Sequence, residues 1–287
     1  MRRPASTPRS PERALAAALL VACSLALAPR AGATPEEDRA AFVKHYQERF
    51  PGIALEAYVD GALMVSRDAR QQFDSIMEFP PFQGDIDAGR RLWETPFADG
   101  STYSACFPEA GRNAAGKYPR FDEASGRVVT FEMALNDCRR AHGEQPYAQE
   151  DRKTMGVLTA YARGLSDGMR MDVRVDGAAA LAKYEQGKRL YFTRIGQYNF
   201  SCASCHWTSA GQVLRTEVIS PTVGQATHWP VFRAGDNLNT LHLRLRRCME
   251  QMRAVPFAAG SEELNNLEYF LSYLSNGLPL RASVYRK

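Results

Sequence analysis

The sequence lacks a strong excess of charge of either sign. It contains 36 lysines and arginines against 32 acidic residues, but five of the arginines and a single glutamate precede Thr34. From Thr34 onward, basic and acidic side chains are equal in number. Such a chain has no net field that would attract nucleic acids, so any anion site must come from a local cluster. The sequence has no collagen-like repeat either, and its 45% hydrophobic and 24% charged residues are typical of a folded globular protein.

A hydrophobic segment long enough to span a membrane is also missing. The longest apolar run, Ala14–Ala28, has about 15 residues, whereas about 20 are needed to cross a bilayer. Arginines precede this run and Ala31–Ala33 follows it, which is the pattern of a secretory signal peptide cleaved after Ala33. Residues 1–33 are therefore predicted to be a signal peptide, and the mature chain to be periplasmic. Leu20–Cys23 also resembles a lipobox, which would instead leave an acylated Cys23 as a membrane anchor.

Five cysteines follow the predicted cleavage site: Cys106, Cys138, Cys202, Cys205 and Cys248. Because the number is odd, at least one thiol is outside any internal disulfide of the exported chain. Cys202, Cys205 and His206 form a Cys-x-x-Cys-His motif, in which two thiols add to haem vinyl groups and the histidine becomes the proximal iron ligand. The alternatives are a redox cysteine pair or half of a zinc site, but no βαβ pattern surrounds the motif and no second cysteine pair is present. We therefore predict one covalently bound haem c.

The sequence contains an internal repeat. Gly89–Trp93 is similar to Gly187–Tyr191, and Leu165–Met169 is similar to Leu274–Leu278. Each copy also carries a cysteine about 30 residues before the second of these segments, at Cys138 and Cys248. The pattern predicts two copies of one unit in tandem.

The first copy has lost the haem motif. Cys106 is retained, but Glu109 and Ala110 stand where the second cysteine and the histidine would be. In a haem domain, the attachment position and the distal position, here Cys138, face each other across the macrocycle. We therefore predict a Cys106–Cys138 disulfide, which would close a loop of about 33 residues and contribute roughly 3 to 4 kcal/mol. Two free buried thiols are the alternative.

The hydrophobic periodicity favours helices joined by long loops. Helices are predicted over Pro35–Phe50, Gln186–Thr193, Thr240–Ala254 and Ser261–Ser275, loops over Thr95–Gly126 and Ser209–Gly235, and a single candidate strand over Arg127–Phe131. The expected fold class is all-α, with two tandem cytochrome c-like domains. Residues 34–175 would form a degenerate domain without haem and residues 176–287 a domain with covalent haem, with the boundary near Met171–Ala178.

The second axial ligand of the iron decides between electron transfer and chemistry. The candidates after His206 are His228, His242, Cys248, Met249 and Met252. A methionine would be typical of an electron carrier. Cys248 has Arg244 four residues earlier on the same helix face and Arg247 next to it, and guanidinium groups favour the thiolate that binds iron or attacks sulfur. Although a basic run is usually only a solvated face, we rank Cys248 first because one cysteine must remain unpaired.

These motifs together resemble the A subunit of the SoxXA cytochromes of thiosulfate oxidation. The resemblance covers the mature chain, and its most specific parts are Arg244–Cys248, Thr227–Pro230 and the paired repeat. Many members of that family carry two haems. This chain departs from them at Glu109 and Ala110, so it resembles the single-haem type with a disulfide in the first half.

The resemblance implies an L-cysteine S-thiosulfotransferase. Cys248 would be both a haem ligand and the sulfur-carrying active residue, often found as a persulfide, and Arg244 would bind thiosulfate, with Arg247 as a second candidate. The reaction would join thiosulfate oxidatively to a cysteine of a carrier protein, SoxY of the SoxYZ complex, with electrons leaving through haem. A SoxX subunit with its own haem would complete a heterodimer. The alternative is a periplasmic electron-transfer cytochrome c with His/Met ligation through Met249 or Met252.

Overall fold

The computed structural model describes residues 33–233 and 237–286. Residues 1–32 of the predicted signal peptide, which include the candidate lipid site at Cys23, lie outside these ranges. The described helices are α1 (Pro35–Arg49), α2 (Arg67–Glu78), α3 (Gln83–Glu94), α4 (Phe131–Ala141), α5 (Val157–Gly164), α6 (Gly177–Phe192), α7 (Cys202–His206), α8 (Leu241–Gln251) and α9 (Glu262–Leu274). Shorter helical turns include Leu55–Met64, Tyr103–Ala105 and Pro108–Gly111, and a π-helical turn, Arg152–Gly156, leads into α5. No helix of the described ranges is long and apolar enough to cross a bilayer.

The fold is mostly helical, but the expectation of an all-α chain needs a correction. Short strands form three small sheets: β1 (Arg120–Asp122) pairs with β2 (Arg127–Val129), β3 (Val213–Leu214) with β4 (Glu217–Val218), and β5 (Val231–Arg233) with β6 (Asn237–Asn239) and β7 (Val284–Tyr285). Only β2 falls on a predicted strand. The other strands have two or three residues each, too few for an alternating pattern to appear in the sequence.

The predicted helices over Pro35–Phe50, Thr240–Ala254 and Ser261–Ser275 are confirmed with small shifts at their ends. Ser261 is the N-cap of α9, where its hydroxyl accepts the Leu264 N–H at 3.4 Å. The prediction over Gln186–Thr193 captured only the second half of α6. The first half of α6 is rich in alanine, so its sequence lacks the apolar stripe that marks an amphipathic helix.

The two copies of the repeat have matching helix pairs. In the first copy α3 packs on α5, and in the second α6 packs on α9. A Cβ atom placed on Gly89 would lie 2.0 Å from the carbonyl oxygen of Val157, and one placed on Gly187 would lie 1.9 Å from that of Asn266. The repeated glycines therefore stand where two helix backbones approach too closely for any side chain.

Other repeated residues also have matching positions. Helices α4 and α8 each have 11 residues and a threonine N-cap, Thr130 or Thr240, and the cysteine is the eighth residue of each. Ser166 and Ser275 are both buried, and each hydroxyl accepts backbone N–H groups from the loop of its own copy at 3.1 Å. The similarity found in the sequence therefore corresponds to a similarity in packing.

From Pro35 onward the chain forms one compact unit. A single hydrophobic core contains aromatic residues of both copies, among them Trp93 and Tyr103 from the first and Tyr191 and Phe270 from the second. The segment after the first copy also pairs with the end of the second, because the Met171 N–H donates to the Leu278 carbonyl at 2.9 Å. The predicted boundary near Met171–Ala178 thus begins with Met171 and Val173, which are buried in this core, whereas its last residues are exposed.

We predict that Gly187→Ala destabilises the protein by about 2 kcal/mol or more, because the methyl group would push α6 away from α9. The same change at Gly89 is expected to have a similar effect on α3 and α5. Gly164→Ala is the matched control, because a Cβ atom there meets no atom within 4 Å and alanine favours a helix. Urea unfolding followed by circular dichroism measures the difference. Equal stability of all three variants would contradict the close approach.

Candidate functional site

The Cys-x-x-Cys-His motif lies on α7, a short helix whose N-terminus is capped by side-chain hydrogen bonds. The Ser201 hydroxyl accepts the Ser204 N–H at 3.1 Å, and the Ser204 hydroxyl accepts the Ser201 N–H at 3.1 Å. This reciprocal cap fixes the first turn, so the side chains of Cys202, Cys205 and His206 are presented from a single turn of helix. The two cysteines are not joined to each other.

The ring of His206 is held by its Nδ1 atom. Nδ1–H donates to the Ser220 carbonyl at 2.8 Å, and the Gln225 amide beside it donates to the Ser220 hydroxyl at 2.6 Å. Burial, and to a smaller degree the Arg244 guanidinium, lower the pKa of His206. The ring is therefore neutral and oriented, with Nε2 as the nitrogen that can bind a metal.

Helix α1 packs behind α7 and makes polar and aromatic contacts with it. The buried Tyr46 hydroxyl donates to the His206 carbonyl at 2.6 Å and accepts the Thr222 N–H at 3.1 Å. The His45 ring stacks on Trp207, with centroids 3.9 Å apart and planes 8° apart, and Phe42 meets the same indole edge-on at 4.4 Å. These contacts fix the C-terminal end of α7 from the side of α1.

Helix α8 brings the third free cysteine to the motif. Cys248 is partly buried, and a negative charge on its thiol raises the pKa of both Cys202 and Cys205. Burial is the larger cause; it raises the pKa of Cys202 to about 12 and also raises that of Cys205. The three thiols therefore share one neighbourhood, although Cys248 is more than forty residues away along the chain.

Arg244 and Arg247 have different surroundings. Arg244 is half-buried and close enough to His206 to oppose its protonation. In the part of the chain that the structure describes, its guanidinium has no carboxylate partner. Arg247 is exposed and forms an ion pair with Glu250 at 2.9 Å. The basic run thus provides one arginine near His206 whose charge is available to an anion, and another that is already paired.

The other candidate ligands lie in different environments. Met249 and Met252 are buried in the main hydrophobic core, at 2% and 8% exposure. His228 is buried beside Gly61, and burial lowers its pKa well below the usual value. The His242 Nε2 atom lies 3.1 Å from the Glu268 carboxylate. Neither histidine is among the described groups that shift the pKa of Cys202 or Cys205, whereas Cys248 is.

His242 belongs to a buried cluster of charged groups that sequence reasoning missed. Burial disfavours its charged ring, but the Glu268 carboxylate and then Glu132 outweigh burial and raise the pKa of His242. The Arg163 guanidinium is also buried and interacts with both glutamates. The cluster joins α4, α5, α8 and α9, so it fixes the first turn of the helix that carries Cys248. Because its members are distant in sequence, no local pattern could have indicated it.

The first copy contains the predicted disulfide. Cys106 and Cys138 are bonded, and their Cα atoms are 5.8 Å apart. Glu109 and Ala110, which replace the second cysteine and the histidine, have positive φ angles of 51° and 56°. The short helix that carries the motif in the second copy is therefore absent at these two residues in the first.

The donor set of the second copy fits a haem c. Two thiols on one turn and a neutral imidazole whose Nδ1 is occupied are the groups that attach the macrocycle and bind its iron. A third free thiol, Cys248, lies in the same neighbourhood. The sequence patterns singled out these four residues, but not Ser220, Gln225 or Tyr46, which contact His206 from other segments.

Comparison with known proteins supports the same interpretation. The sequence profile described as "SoxA/TsdA, cytochrome c domain" matches residues 88–171 and 186–280. These two segments correspond to the two copies of the repeat. The chain is 44% identical over 276 residues to the L-cysteine S-thiosulfotransferase subunit SoxA of Allochromatium vinosum, covering 95% of this chain and 98% of that protein. It is 42% identical over 253 residues to the subunit of the same name from Chlorobaculum tepidum, covering 88% of each.

A solved structure is also similar. The crystal structure of SoxXA from P. pantotrophus aligns with a TM-score of 0.66 and 29% sequence identity, and the alignment covers 72% of this chain and 79% of that one.

We predict that Glu268→Ala lowers the free energy of unfolding by about 3 kcal/mol, because it leaves the His242 ring buried without its partner. Glu262→Ala on the same helix is the control, because Glu262 is exposed and its pair with Lys183 is worth less than about 1 kcal/mol. Glu268→Gln keeps an acceptor and should lie between the two. Chemical denaturation of the holoprotein measures all three, and a similar loss for Glu262→Ala and Glu268→Ala would contradict a stabilising role of the cluster.

Proposed function

Because the chain belongs to the family of SoxA subunits of L-cysteine S-thiosulfotransferase, with a cytochrome c domain that implies haem c, we propose that it couples thiosulfate to a cysteine of a carrier protein and passes the electrons to haem. One observation carries the proposal: the free thiol of Cys248 shares a neighbourhood with Cys202 and Cys205, and the half-buried Arg244 acts electrostatically on His206 of the same motif. The methionines of the same stretch are instead buried in the core.

The chain consists of two tandem cytochrome c-like domains, of which only the second carries haem. Residues 34–175 form the degenerate domain and residues 176–287 the haem domain. The matching glycine contacts, the equivalent helices α4 and α8 and the two segments of the family match support this division. The Cys106–Cys138 disulfide occupies the positions that would hold haem in the first domain.

A single haem c would be held through Cys202 and Cys205, and His206 and Cys248 are the residues that would bind its iron. The oriented, neutral ring of His206 and the position of Cys248 support these assignments. When bound, the haem would accept electrons one at a time. A second haem on a partner subunit then accounts for the second electron.

Arg244 holds the substrate and Cys248 presents the reacting sulfur. Thiosulfate is a small dianion, and a guanidinium can donate two hydrogen bonds to its oxygens while its terminal sulfur points toward the thiol. In the overall reaction one S–S bond forms between thiosulfate and the carrier cysteine, and one proton and two electrons leave. Arg247 is a further candidate for contact with the anion, with Glu250 as its competing partner.

The partners follow from the family. A relative has been solved as the SoxXA complex, so the second subunit is SoxX, in a heterodimer, and the acceptor of the thiosulfate group is the SoxY protein of SoxYZ. The secretory pattern before Thr34 supports a periplasmic location. An oxidising compartment is also where the Cys106–Cys138 bond would persist.

We predict that Cys248→Ala reduces the rate of thiosulfate coupling at least about 100-fold, because it removes the reacting sulfur. SoxY is incubated with thiosulfate and the complex of this chain with SoxX, and intact-mass spectrometry of SoxY measures the coupling. Intact-mass spectrometry of this chain counts its haem. The haem spectrum should change in the same variant, since an axial ligand is lost. Met249→Leu is the control and should alter neither. A changed spectrum in Met249→Leu together with an unchanged one in Cys248→Ala would instead favour an electron carrier with His/Met ligation.

We predict that Arg244→Gln lowers kcat/KM for thiosulfate by about 10- to 100-fold, the effect of losing hydrogen bonds from a charged group. Arg247→Gln should have a smaller effect, because Arg247 is exposed and already paired with Glu250. Steady-state kinetics over a range of thiosulfate concentrations distinguishes the two. If Arg247→Gln were the more damaging change, the anion would bind on the outer side of α8.

A further inference from the structure

A histidine lies against the disulfide of the first half, away from the Cys248 site. The two sulfur atoms of Cys106 and Cys138 and a ring nitrogen of His142 all lie within 4.8 Å of one another. Cys106 is exposed, whereas Cys138 is 3% exposed and belongs to the main core. The bond is thus accessible from one side, at Cys106, and the histidine is close to both sulfurs.

His142 is held in place by neighbours from a different loop. It follows Cys138 by four residues at the end of α4, which puts the two side chains on one face. The His142 Nδ1–H donates to the Asp99 carboxylate at 2.6 Å, and the ring stacks on Phe97 with planes 12° apart. The Ser101 hydroxyl donates to the other carboxylate oxygen at 2.6 Å.

The electrostatics of this group agree with its geometry. Hydrogen bonds from Ser101 and then His142 hold the pKa of Asp99 well below its usual range. The carboxylate is therefore ionised at neutral pH and orients the imidazole from the side of Nδ1. A carboxylate that orients an imidazole, next to an accessible sulfur, is the arrangement found at catalytic sites that activate a nucleophile. Thiol–disulfide exchange likewise requires an accessible sulfur. A disulfide that acts only as a cross-link needs neither the imidazole nor the carboxylate.

We propose that Cys106–Cys138 is a second sulfur-reactive site, which small sulfur nucleophiles open reversibly while His142 delivers a proton to the departing thiolate of Cys138. The nucleophiles share one chemistry, a nucleophilic anionic sulfur, and are either thiolates or sulfite. The site is separate from Cys248, so it does not depend on the function proposed above.

The exchange balances in atoms and electrons. The nucleophile attacks the exposed sulfur of Cys106 and forms a new bond to it, while the bond to Cys138 breaks. The electron pair of the broken bond goes to the sulfur of Cys138, which takes a proton from the Nε2–H of the protonated His142 ring; solvent then returns a proton to the ring. In this first step Cys138 is reduced to a thiol and the nucleophile is oxidised to the level of a disulfide partner of Cys106; attack by a second nucleophile completes the two-electron reduction of the protein. A second nucleophile can release the first as a disulfide or as an S-sulfonate, or the Cys138 thiolate can expel it and restore the original bond.

The test measures how fast the disulfide of the holoprotein opens with sulfite and, in a separate arm, with a small monothiol. Intact-mass spectrometry follows the adduct, and peptide mapping places it on Cys106. We expect His142→Gln to slow opening by about tenfold or more, the lower range for a lost proton donor. Asp99→Asn should slow it less. Asp122→Asn is the matched control, because Asp122 is also at least partly exposed and also accepts hydrogen bonds from a nearby serine, Ser125.

A chemical rescue separates a proton donor from a structural contact. Adding imidazole should restore the rate of His142→Gly toward that of the natural protein, while leaving Asp122→Asn unaffected. Slowing in both arms supports proton delivery to Cys138, and slowing in one arm identifies the nucleophile that the site takes. Unchanged or faster opening in His142→Gln, or no rescue by imidazole in His142→Gly, would overturn the proposal.

Discussion

The architecture depends on two places where helix backbones touch. Gly89 lies against Val157, and Gly187 lies against Asn266, each too close for a side chain. Each contact fixes the first helix of a copy against its last helix, and the remaining segments of that copy fill the space that this pair defines. A sequence that must keep glycine at one point of a helix, where alanine would be the better helix former, is constrained by packing and not by helix propensity.

The same frame supports different chemistry in the two copies. Cys138 and Cys248 occupy the eighth position of equivalent helices, yet one is bonded to Cys106 and the other is free. In the second copy the Cys-x-x-Cys-His motif forms a capped helical turn, whereas in the first Glu109 adopts a left-handed conformation. The absence of the motif's second cysteine and histidine from the first copy is thus accompanied by a covalent bond between Cys106 and Cys138.

Local patterns predicted part of this structure and could not predict the rest. The helices α1, α8 and α9 could be recognised because caps and apolar spacing are properties of neighbouring residues. The disulfide followed from the repeat, which relates distant residues by comparison. The Ser220 carbonyl that orients His206, and Glu268 beside His242, are backbone or side-chain groups brought together by the fold. No local sequence pattern indicates such pairs, so the residues that support the site could be identified only from the structure.

The first copy of the repeat is held to the second by charge as well as by shared apolar packing. Glu132 and His242 are each the second residue of their helices, α4 and α8, and they interact inside the same buried cluster. Burial of ionisable groups is costly unless each has a partner, so removing one half would leave the other with uncompensated charge. Helix α8 carries Cys248 less than two turns beyond this cluster. The position of Cys248 therefore depends on a carboxylate from the first copy of the repeat, which gives that copy a structural role in the second.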